Sequence, residues 1–226
     1  MDTTEGHIPV LVSWSGGKDS CFALYETQKA PEYRVAALLT TLTRDFDRVS
    51  MHGVRRELLE EQAASVGLPL HKIFISKDAS NEEYELKMGE AFAVYREQGI
   101  GSVVFGDLFL ADIRAYREQF LARQRMHGLF PVWKRDTSSF IREFVELGFK
   151  TIVTCVDSTV LAGSFVGKNI DEAFLSSLPE GVDPCGENGE FHTFVFDGPT
   201  FARPVKFSLG EIVLRESFWF CDLVPK

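Results

Sequence analysis

The residues best suited to chemistry lie together near the start of the chain, where positions 15–20 read Ser-Gly-Gly-Lys-Asp-Ser. Gly16 and Gly17 would let backbone N–H groups approach an anion closely, because glycine has no side chain to block them. Lys18 adds a positive charge, and the two serine hydroxyls can donate further hydrogen bonds. Asp19 would repel a phosphate unless a divalent cation lay between them, which points to magnesium. The segment therefore predicts a site for phosphate groups.

The spacing of these residues excludes two common phosphate-binding motifs. A Walker A loop requires a glycine five residues before its Gly-Lys pair and a serine or threonine after it, but this chain has Val12 and Asp19 there. The dinucleotide fingerprint Gly-x-Gly-x-x-Gly is missing as well. What remains is a short loop before a helix, whose N-terminal end favours an anion. The alternative is a plain turn capped by Ser15 and Asp19.

Four apolar segments are predicted as strands, and they alternate with four predicted helices. The strands are 8–14, 34–40, 71–75 and 102–106, and the helices are 18–28, 52–66, 84–95 and 111–125, with a loop at 41–51. The strand segments are continuously apolar, which is typical of strands buried on both faces. The pattern predicts a Rossmann-like α/β fold, a parallel sheet with helices on both faces. Ligands bind such sheets beyond the carboxyl ends of the strands, where residues 15–20 lie.

The pattern changes after residue 127, and a domain boundary is predicted near residue 128. Residues 1–127 would hold the parallel sheet, and residues 128–226 would form a smaller C-terminal α/β domain. In the second part a helix is predicted around 140–145, with strands at 150–156 and 191–196. No linker is evident, so the two parts are expected to pack together.

Composition and charge narrow the class of protein. The net charge is −9 and no block rich in Lys and Arg is present, which argues against nucleic acid as the main partner. The four cysteines form no Cys-x-x-Cys pair, so neither a zinc site nor a disulfide framework is predicted. The N-terminus lacks the features of a signal peptide, and no apolar stretch reaches the length of a membrane span. A cytoplasmic location is expected.

Two motifs resemble a known family. The segment 15–20 after a first strand resembles the PP-loop, or N-type ATP pyrophosphatase, superfamily, whose fold is of the adenine nucleotide alpha-hydrolase type. GENGEFHTFVFDGP at 186–199 resembles the Glu-Gly-Gly-Glu-Phe/Tyr-Glu-Thr signature of the diphthine–ammonia ligase family. FGDL at 105–108 and PVWKRD at 131–136 resemble further segments of that family, so that the resemblance covers nearly the whole chain.

The resemblance implies an ATP-dependent ligase that adenylates a carboxylate, releases pyrophosphate and lets ammonia displace AMP. ATP and Mg²⁺ would be its cofactors. Lys18, Asp19 and Glu190 are predicted to be catalytic, and Asp19 and Asp107 to bind the metal ion. ATP contacts are predicted at Ser15, Gly16, Gly17, Lys18, Asp19, Ser20, Leu39, Thr40, His52, Gly106 and Asp107. Acceptor contacts are predicted at Glu187, Gly189, Glu190, His192 and Thr193.

The acceptor stays open, because Asn188 and His192 stand where the ligase signature has Gly and Glu. These departures resemble a bacterial branch of the family. The acceptor is then either protein-borne diphthine or a small molecule, for example one related to cobalamin metabolism. A tRNA-modifying PP-loop ATPase and a non-catalytic nucleotide-binding module are the alternatives. A homodimer is a further possibility, common for folds of this type.

Several other residues allow two interpretations. Four arginines are candidates for stabilising transition-state charge or are surface residues: Arg44, Arg48, Arg114 and Arg117. Trp133 and Cys185 are predicted to serve packing rather than chemistry. Four of the predicted site residues have structural alternatives as caps, packed groups or solvated groups: His52, Asp107, Glu187 and His192.

Overall fold

The protein forms two β-sheets in the computed structural model, which describes residues 6–49 and 52–226. The strands of the first sheet are β1 (Ile8–Ser13), β2 (Tyr33–Thr43), β3 (Arg48–Val49), β4 (Leu70–Ile75), β5 (Ser102–Val104) and β6 (His127–Leu129). The helices of this part are α1 (Lys18–Lys29), α2 (Arg56–Val66), α3 (Asn81–Glu97) and α4 (Ala111–Arg123).

The first sheet is parallel except for the short strand β3. β1 lies between β2 and β5, β6 pairs with β5, and β4 pairs with β2. β3 pairs antiparallel with Leu42 and Thr43 at the end of β2. The carboxyl ends of β1, β2 and β5 therefore meet at one edge of the sheet, which we call the carboxyl edge. The prediction of a Rossmann-like parallel sheet is confirmed.

Helices cover both faces of this sheet because its central strand is apolar throughout. Val10 and Val12 of β1 point into a large core with α1 and α2, while Leu11 points into a smaller core with α3 and α4. All three side chains are completely buried. A strand whose residues serve two cores in alternation must lie in the middle of a three-layer arrangement.

The second sheet is antiparallel, with the strand order β8-β7-β10-β9. Its strands are β7 (Lys150–Asp157), β8 (Phe191–Asp197), β9 (Phe207–Arg215) and β10 (Phe218–Pro225), accompanied by α5 (Thr137–Glu146), a short 3₁₀-helix (Gly163–Phe165) and α6 (Glu172–Ser177). The large core continues into this part, since Phe22 of α1 lies 4.6 Å from Phe140 of α5, centroid to centroid. The two parts pack together, as expected from the lack of a linker.

Some predicted boundaries are wrong. β2 continues to Thr43 instead of giving way to a loop at residue 41, because β4 pairs with it over that whole stretch. α2 begins at Arg56 rather than at residue 52, since Arg55 is extended and bridges to Arg48. Residues 50 and 51 of the predicted loop lie outside the described residues. β3, which lies in the predicted loop, and β6, β9 and β10 are strands that the sequence pattern does not predict.

None of the helices in the described part of the chain has both the length and the apolar character that crossing a bilayer requires. The domain boundary near residue 128 stays a prediction.

Candidate active site

The segment 15–20, which we call the phosphate loop, joins β1 to α1 at the carboxyl edge. Gly16 has a φ of +76°, and a Cβ atom there would lie 2.5 Å from Gln62 Oε1. Gly17 is the N-cap of α1, and a Cβ atom there would lie 3.1 Å from the carbonyl oxygen of Thr193. Close approach of α2 and β8 thus leaves little room for side chains at both positions.

The two serines of the phosphate loop support its turn. Ser15 Oγ lies 3.3 Å from Ser20 Oγ and accepts a hydrogen bond of 3.3 Å from the amide of Gly17. Ser20 Oγ donates to the carbonyl oxygen of Gly17 over 3.0 Å. The predicted hydroxyl donors are therefore present in the loop and also bind one another.

The edge of β8 docks directly on the phosphate loop. The amide of Val195 donates to the carbonyl oxygen of Gly16 over 2.9 Å, and the amide of Lys18 donates to Thr193 Oγ1 over 3.1 Å. Both bonds join residues that are far apart in sequence. The C-terminal part of the chain therefore shapes the loop that the sequence assigned to the N-terminal part alone.

Gln62 is a functional candidate that the sequence analysis missed. Its side chain is completely buried, and Nε2 donates to the carbonyl oxygens of Gly16 and Val195. Oε1 accepts from Trp14 Nε1 over 3.0 Å. Gln62 thus connects Trp14, just after β1, with the phosphate loop and β8. The available signal was a polar residue on the apolar face of α2, beside Leu58, Leu59 and Ala63.

Lys18 and Asp19 form an ion pair at the start of α1. The Lys18 side chain is 3% exposed, and its Nζ lies 2.9 Å from Asp19 Oδ2. Burial lowers the pKa of Lys18, but the Asp19 carboxylate and other nearby acidic groups raise it by more, so the pKa is raised overall. Lys18 is therefore a positive charge at neutral pH. Asp19 Oδ1 is buried and has no hydrogen-bond partner among the described residues.

Other predicted ATP contacts lie at the same edge. Thr40 of β2 is 2% exposed, and its Oγ1 has no hydrogen-bond partner among the described residues. The carbonyl oxygen of its neighbour Leu39 accepts from the amide of Trp14 over 2.7 Å. Gly106 follows β5, and a Cβ atom there would lie 2.6 Å from the backbone of Asp19. The carboxyl ends of β2 and β5 thus flank the phosphate loop.

Asp107 lies beside Arg117, with 3.1 Å between Asp107 Oδ2 and Arg117 Nε. The two groups form an ion pair, and both atoms are buried without a hydrogen-bond partner among the described residues. Burial raises the pKa of Asp107 although Arg117 opposes this, and the Asp19 carboxylate raises it further. Unsatisfied polar atoms of this kind are what a ligand or an ion would satisfy.

Glu187 reaches the site from the loop before β8. Its Oε1 accepts a 2.8 Å hydrogen bond from the amide of Leu108. Burial, followed by the Asp19 carboxylate, raises the pKa of Glu187 to about 7, while the Leu108 amide opposes the rise. This carboxyl group can therefore gain and lose a proton near neutral pH, which is the property of a general acid or base.

Glu190 holds the turn that carries Glu187. It is 5% exposed, and its Oε1 accepts from the amide of Asp183 and from Asn188 Nδ2. Its Oε2 accepts from the amide of Asn188 over 2.9 Å. Gly189 within this turn has a φ of +92°. The catalytic role of Glu190 stays a prediction, and its contacts favour a positioning role instead.

His52 and His192 stack beside the phosphate loop, with ring centroids 4.8 Å apart and planes at 37°. His52 Nδ1 lies 3.1 Å from the carbonyl oxygen of Thr193. Burial lowers the pKa of His52, and burial together with His52 and Lys18 lowers the pKa of His192 to about 3. Both imidazoles are therefore neutral at physiological pH. The surface that the two rings present beside the phosphate loop is therefore polar and uncharged, not cationic.

The four arginines with two interpretations lie in different surroundings. Arg48 donates to Asp222 of β10 over 2.8 Å, and Arg55 forms a bidentate pair with the same carboxylate.

Arg114 stacks on the rings of Phe130 and Trp133. Arg117 is the one beside the site, next to Asp107. Arg44 lines a separate cavity of about 330 Å³ between β4 and α3.

Cys185 serves structure, as predicted. It is completely buried, and its thiol lies 3.2 Å from the carbonyl oxygen of Thr137. Burial raises the pKa of the Cys185 thiol far above its ordinary value, which keeps it protonated and weakly nucleophilic.

Among the described residues, no group of three or more His, Cys, Asp and Glu side chains is arranged to hold a metal ion. A cation at Asp19 and Asp107 would therefore need ligands of another kind besides these two carboxylates. Phosphate oxygens of a nucleotide are the usual partners of Mg²⁺ in such sites.

Replacing Glu187 by glutamine is expected to stabilise the protein at pH 8 and to leave its stability nearly unchanged at pH 5. The raised pKa means that the folded state holds this proton more tightly than the unfolded chain, so stability falls as pH rises from about 4.5 to about 7. Because the carboxyl group is partly exposed, we expect roughly 1–2 kcal/mol at pH 8. Urea unfolding at both pH values measures the change.

The control is Glu180→Gln, at an exposed position. This variant should show no such pH-dependent gain in the free energy of unfolding, and an equal gain there would contradict the account.

Two family models match this chain. One, described as the diphthamide synthase N-terminal domain, matches residues 8–126, and the other, described as the diphthamide synthase C-terminal domain, matches residues 136–224. Curated relatives share the name diphthine–ammonia ligase. The protein from Danio rerio is 28% identical over 231 residues, covering 92% of this chain and 90% of that protein.

Two further relatives carry the same name. The protein from Homo sapiens is 24% identical over 232 residues, covering 92% of this chain and 86% of that protein. The protein from Schizosaccharomyces pombe is 25% identical over 236 residues, which cover 96% of this chain but 39% of the longer relative.

Proposed function

The chain belongs to the diphthamide synthase family, and we propose from this membership that it adenylates a carboxylate with ATP and converts it to an amide with ammonia. Membership itself makes the chain an ATP-dependent, amide-forming ligase of the PP-loop superfamily. The adenylation route, the acceptor and the roles of individual residues are the proposal. Residues 1–127 would bind ATP, and residues 128–226 would supply the contacts to the acceptor.

The observation that carries this proposal is the set of unsatisfied polar atoms around the phosphate loop. Asp19 Oδ1, Thr40 Oγ1 and Asp107 Oδ2 are buried without a hydrogen-bond partner among the described residues. Asp19 lies in the phosphate loop and Asp107 follows β5, while Thr40 lies within β2 next to Leu39, which accepts a hydrogen bond from Trp14 just after β1. This place favours the phosphates of a nucleotide, because strand ends and helix N-termini meet there.

In the first proposed step, an oxygen of the acceptor carboxylate attacks the α-phosphorus of ATP. The bond from that phosphorus to the oxygen of the β-phosphate breaks, and pyrophosphate leaves with the negative charge. Lys18 would stabilise the charge that develops on pyrophosphate, since a fixed charge in a buried site acts strongly. In the second step, ammonia attacks the acyl carbon, the nitrogen gives up one proton to water, and AMP leaves with the bridging oxygen.

Asp19 and Asp107 would hold Mg²⁺ together with oxygens of the nucleotide. The ion would neutralise phosphate charge and orient the leaving group. Their fit rests on Asp19 Oδ1 and Asp107 Oδ2, which have no hydrogen-bond partner among the described residues, although Asp107 Oδ2 is ion-paired with Arg117.

Glu187 would bind ammonium and take up a proton from it, which leaves ammonia as the nucleophile. Its carboxyl group titrates near neutral pH and lies close to Lys18 and Asp19, where the acyl intermediate would form. His192 would contact the acceptor through an uncharged ring.

The experiment combines the chain with ATP, Mg²⁺ and ammonium, and with either a diphthine-bearing protein or a panel of small carboxylates. Mass spectrometry measures conversion of the carboxyl group to an amide. Amide formation that needs both ATP and ammonium would support the ligase proposal, and the productive acceptor would identify the substrate. Formation of a thioester, ester or tRNA product instead of an amide would refute it.

A further inference from the structure

The first turn of α1 lacks a cap from its own sequence. The first amides of an α-helix have no partner inside the helix and need other acceptors. Gly17 occupies the N-cap position, and it has no side chain that could accept such a hydrogen bond. The amide of Lys18 is instead satisfied by Thr193 Oγ1, 3.1 Å away and 175 positions later in the chain.

Thr193 is buried, and hydrogen bonds fix this residue and its strand beside the phosphate loop. It is 2% exposed and lies on β8, the edge strand of the second sheet. Its carbonyl oxygen lies 3.1 Å from His52 Nδ1, and two residues further along β8 the amide of Val195 binds the carbonyl oxygen of Gly16. A hydroxyl so buried and engaged is poorly placed to contact an acceptor molecule.

The other free amides of this turn are those of Asp19 and Ser20. No described group accepts a hydrogen bond from either of them. Gly106 lies against the same turn, since a Cβ atom there would lie 2.6 Å from the carbonyl group of Asp19 and 2.9 Å from the amide nitrogen of Ser20. Thr193 therefore satisfies one amide of the turn, and the next two stay available for a phosphate.

We propose that Thr193 is a positioning residue for the phosphate loop, supplied by the second sheet, and that it fixes α1 so that the amides of Asp19 and Ser20 face the β- and γ-phosphates. This role rests on the proposed function, since it assumes that the loop holds the phosphates that leave as pyrophosphate. It replaces the contact to the acceptor that the sequence predicted for Thr193.

Isothermal calorimetry with ATP, pyrophosphate and AMP as probes tests the role, in the presence of Mg²⁺. Thr193→Val keeps the shape of the side chain but removes the acceptor, and it should weaken binding of ATP and pyrophosphate at least tenfold. AMP lacks the two outer phosphates, so its affinity should change less than threefold. Thr193→Ser keeps a hydroxyl at this position, so this variant should bind all three probes with affinities within threefold of the wild type.

Thr151→Val is the matched control, because Thr151 is equally buried and donates to β8 at the carbonyl oxygen of Phe194, away from the loop. It should lower the melting temperature without changing the affinity for any probe. Equal losses for ATP, pyrophosphate and AMP in Thr193→Val, or no loss at all, would overturn the positioning role. A wild-type protein that binds neither ATP nor pyrophosphate would instead overturn the proposed function.

Hydrogen exchange on the wild-type chain gives a test that needs no variant. The amide of Lys18 should exchange at least tenfold more slowly than those of Asp19 and Ser20 in the ligand-free protein. Addition of pyrophosphate should then slow exchange at Asp19 and Ser20. An unprotected Lys18 amide would overturn the role of Thr193.

Discussion

Replacing Lys18 by methionine is expected to lower the rate of amide formation by about a thousandfold, because it removes the buried charge that would face the leaving pyrophosphate in the proposed mechanism. Lys18 is 3% exposed and is fixed by Asp19, so no surface lysine can take its place. Methionine keeps the length and apolar part of the side chain. The measurement is kcat/KM for amide and for pyrophosphate, determined in the same assay.

Lys29→Met is the matched control for this change. Lys29 ends the same helix, is largely exposed and pairs with Glu26 over 2.9 Å. Its replacement should leave kcat/KM within a factor of about two, as is usual for exposed ion pairs. A Lys18→Met variant that keeps more than about a tenth of the wild-type rate would exclude Lys18 from the electrostatic role.

Replacing Gly106 by alanine is expected to lower both the free energy of unfolding and kcat/KM. The added Cβ would lie 2.6 Å from the carbonyl carbon and oxygen of Asp19 and 2.9 Å from the amide of Ser20. These are backbone atoms, so the clash can be relieved only by moving the start of α1 away from β5. We expect a loss of roughly 1–3 kcal/mol in the free energy of unfolding. Because displacement of about 1 Å can cost about a hundredfold in rate, kcat/KM should fall by that order.

Gly101→Ala controls for the loss of a glycine near the same strand. Gly101 lies just before β5, and a Cβ atom there would meet no heavy atom of the described structure within 4 Å. Its unfolding free energy and kcat/KM should stay close to those of the wild type. Urea unfolding and the amide assay measure both variants. Equal behaviour of the two alanine variants would show that close packing of β5 on α1 is unimportant.

Much of the first sheet could be predicted because its strands are marked by local patterns. Continuous apolar runs identify β1, β2 and β4, and the glycines of the phosphate loop mark the junction to α1. β6 has only three residues, His127–Leu129, and includes a glycine, so no periodicity could show it. β9 is largely exposed and lacks the alternation of a half-buried strand. Its pairing with β10 defines it instead.

Most residues of the candidate site could be predicted from the sequence, but the hydrogen bonds that connect them could not. Residues 15–20, Asp107 and Glu187 could be predicted as site residues from their types and from their positions along the chain, and their roles stay predictions. Nothing local could show that Thr193 caps α1, since that contact spans 175 positions. The role of Gln62 could not be predicted for the same reason, because its three partners lie just after β1, in the phosphate loop and on β8. Asn188, a departure from the family signature, gains an explanation as a partner of Glu190.

The most direct test of the adenylation route follows an oxygen atom of the acceptor carboxylate. The acceptor is labelled with ¹⁸O in that carboxylate, and the nucleotide and phosphate products are analysed by mass spectrometry after one round of amide formation. Adenylation predicts AMP and pyrophosphate as products, with one ¹⁸O atom carried into AMP. Formation of ADP with the ¹⁸O atom in inorganic phosphate would show that the γ-phosphate is transferred instead, and it would contradict the proposed chemistry at the phosphate loop.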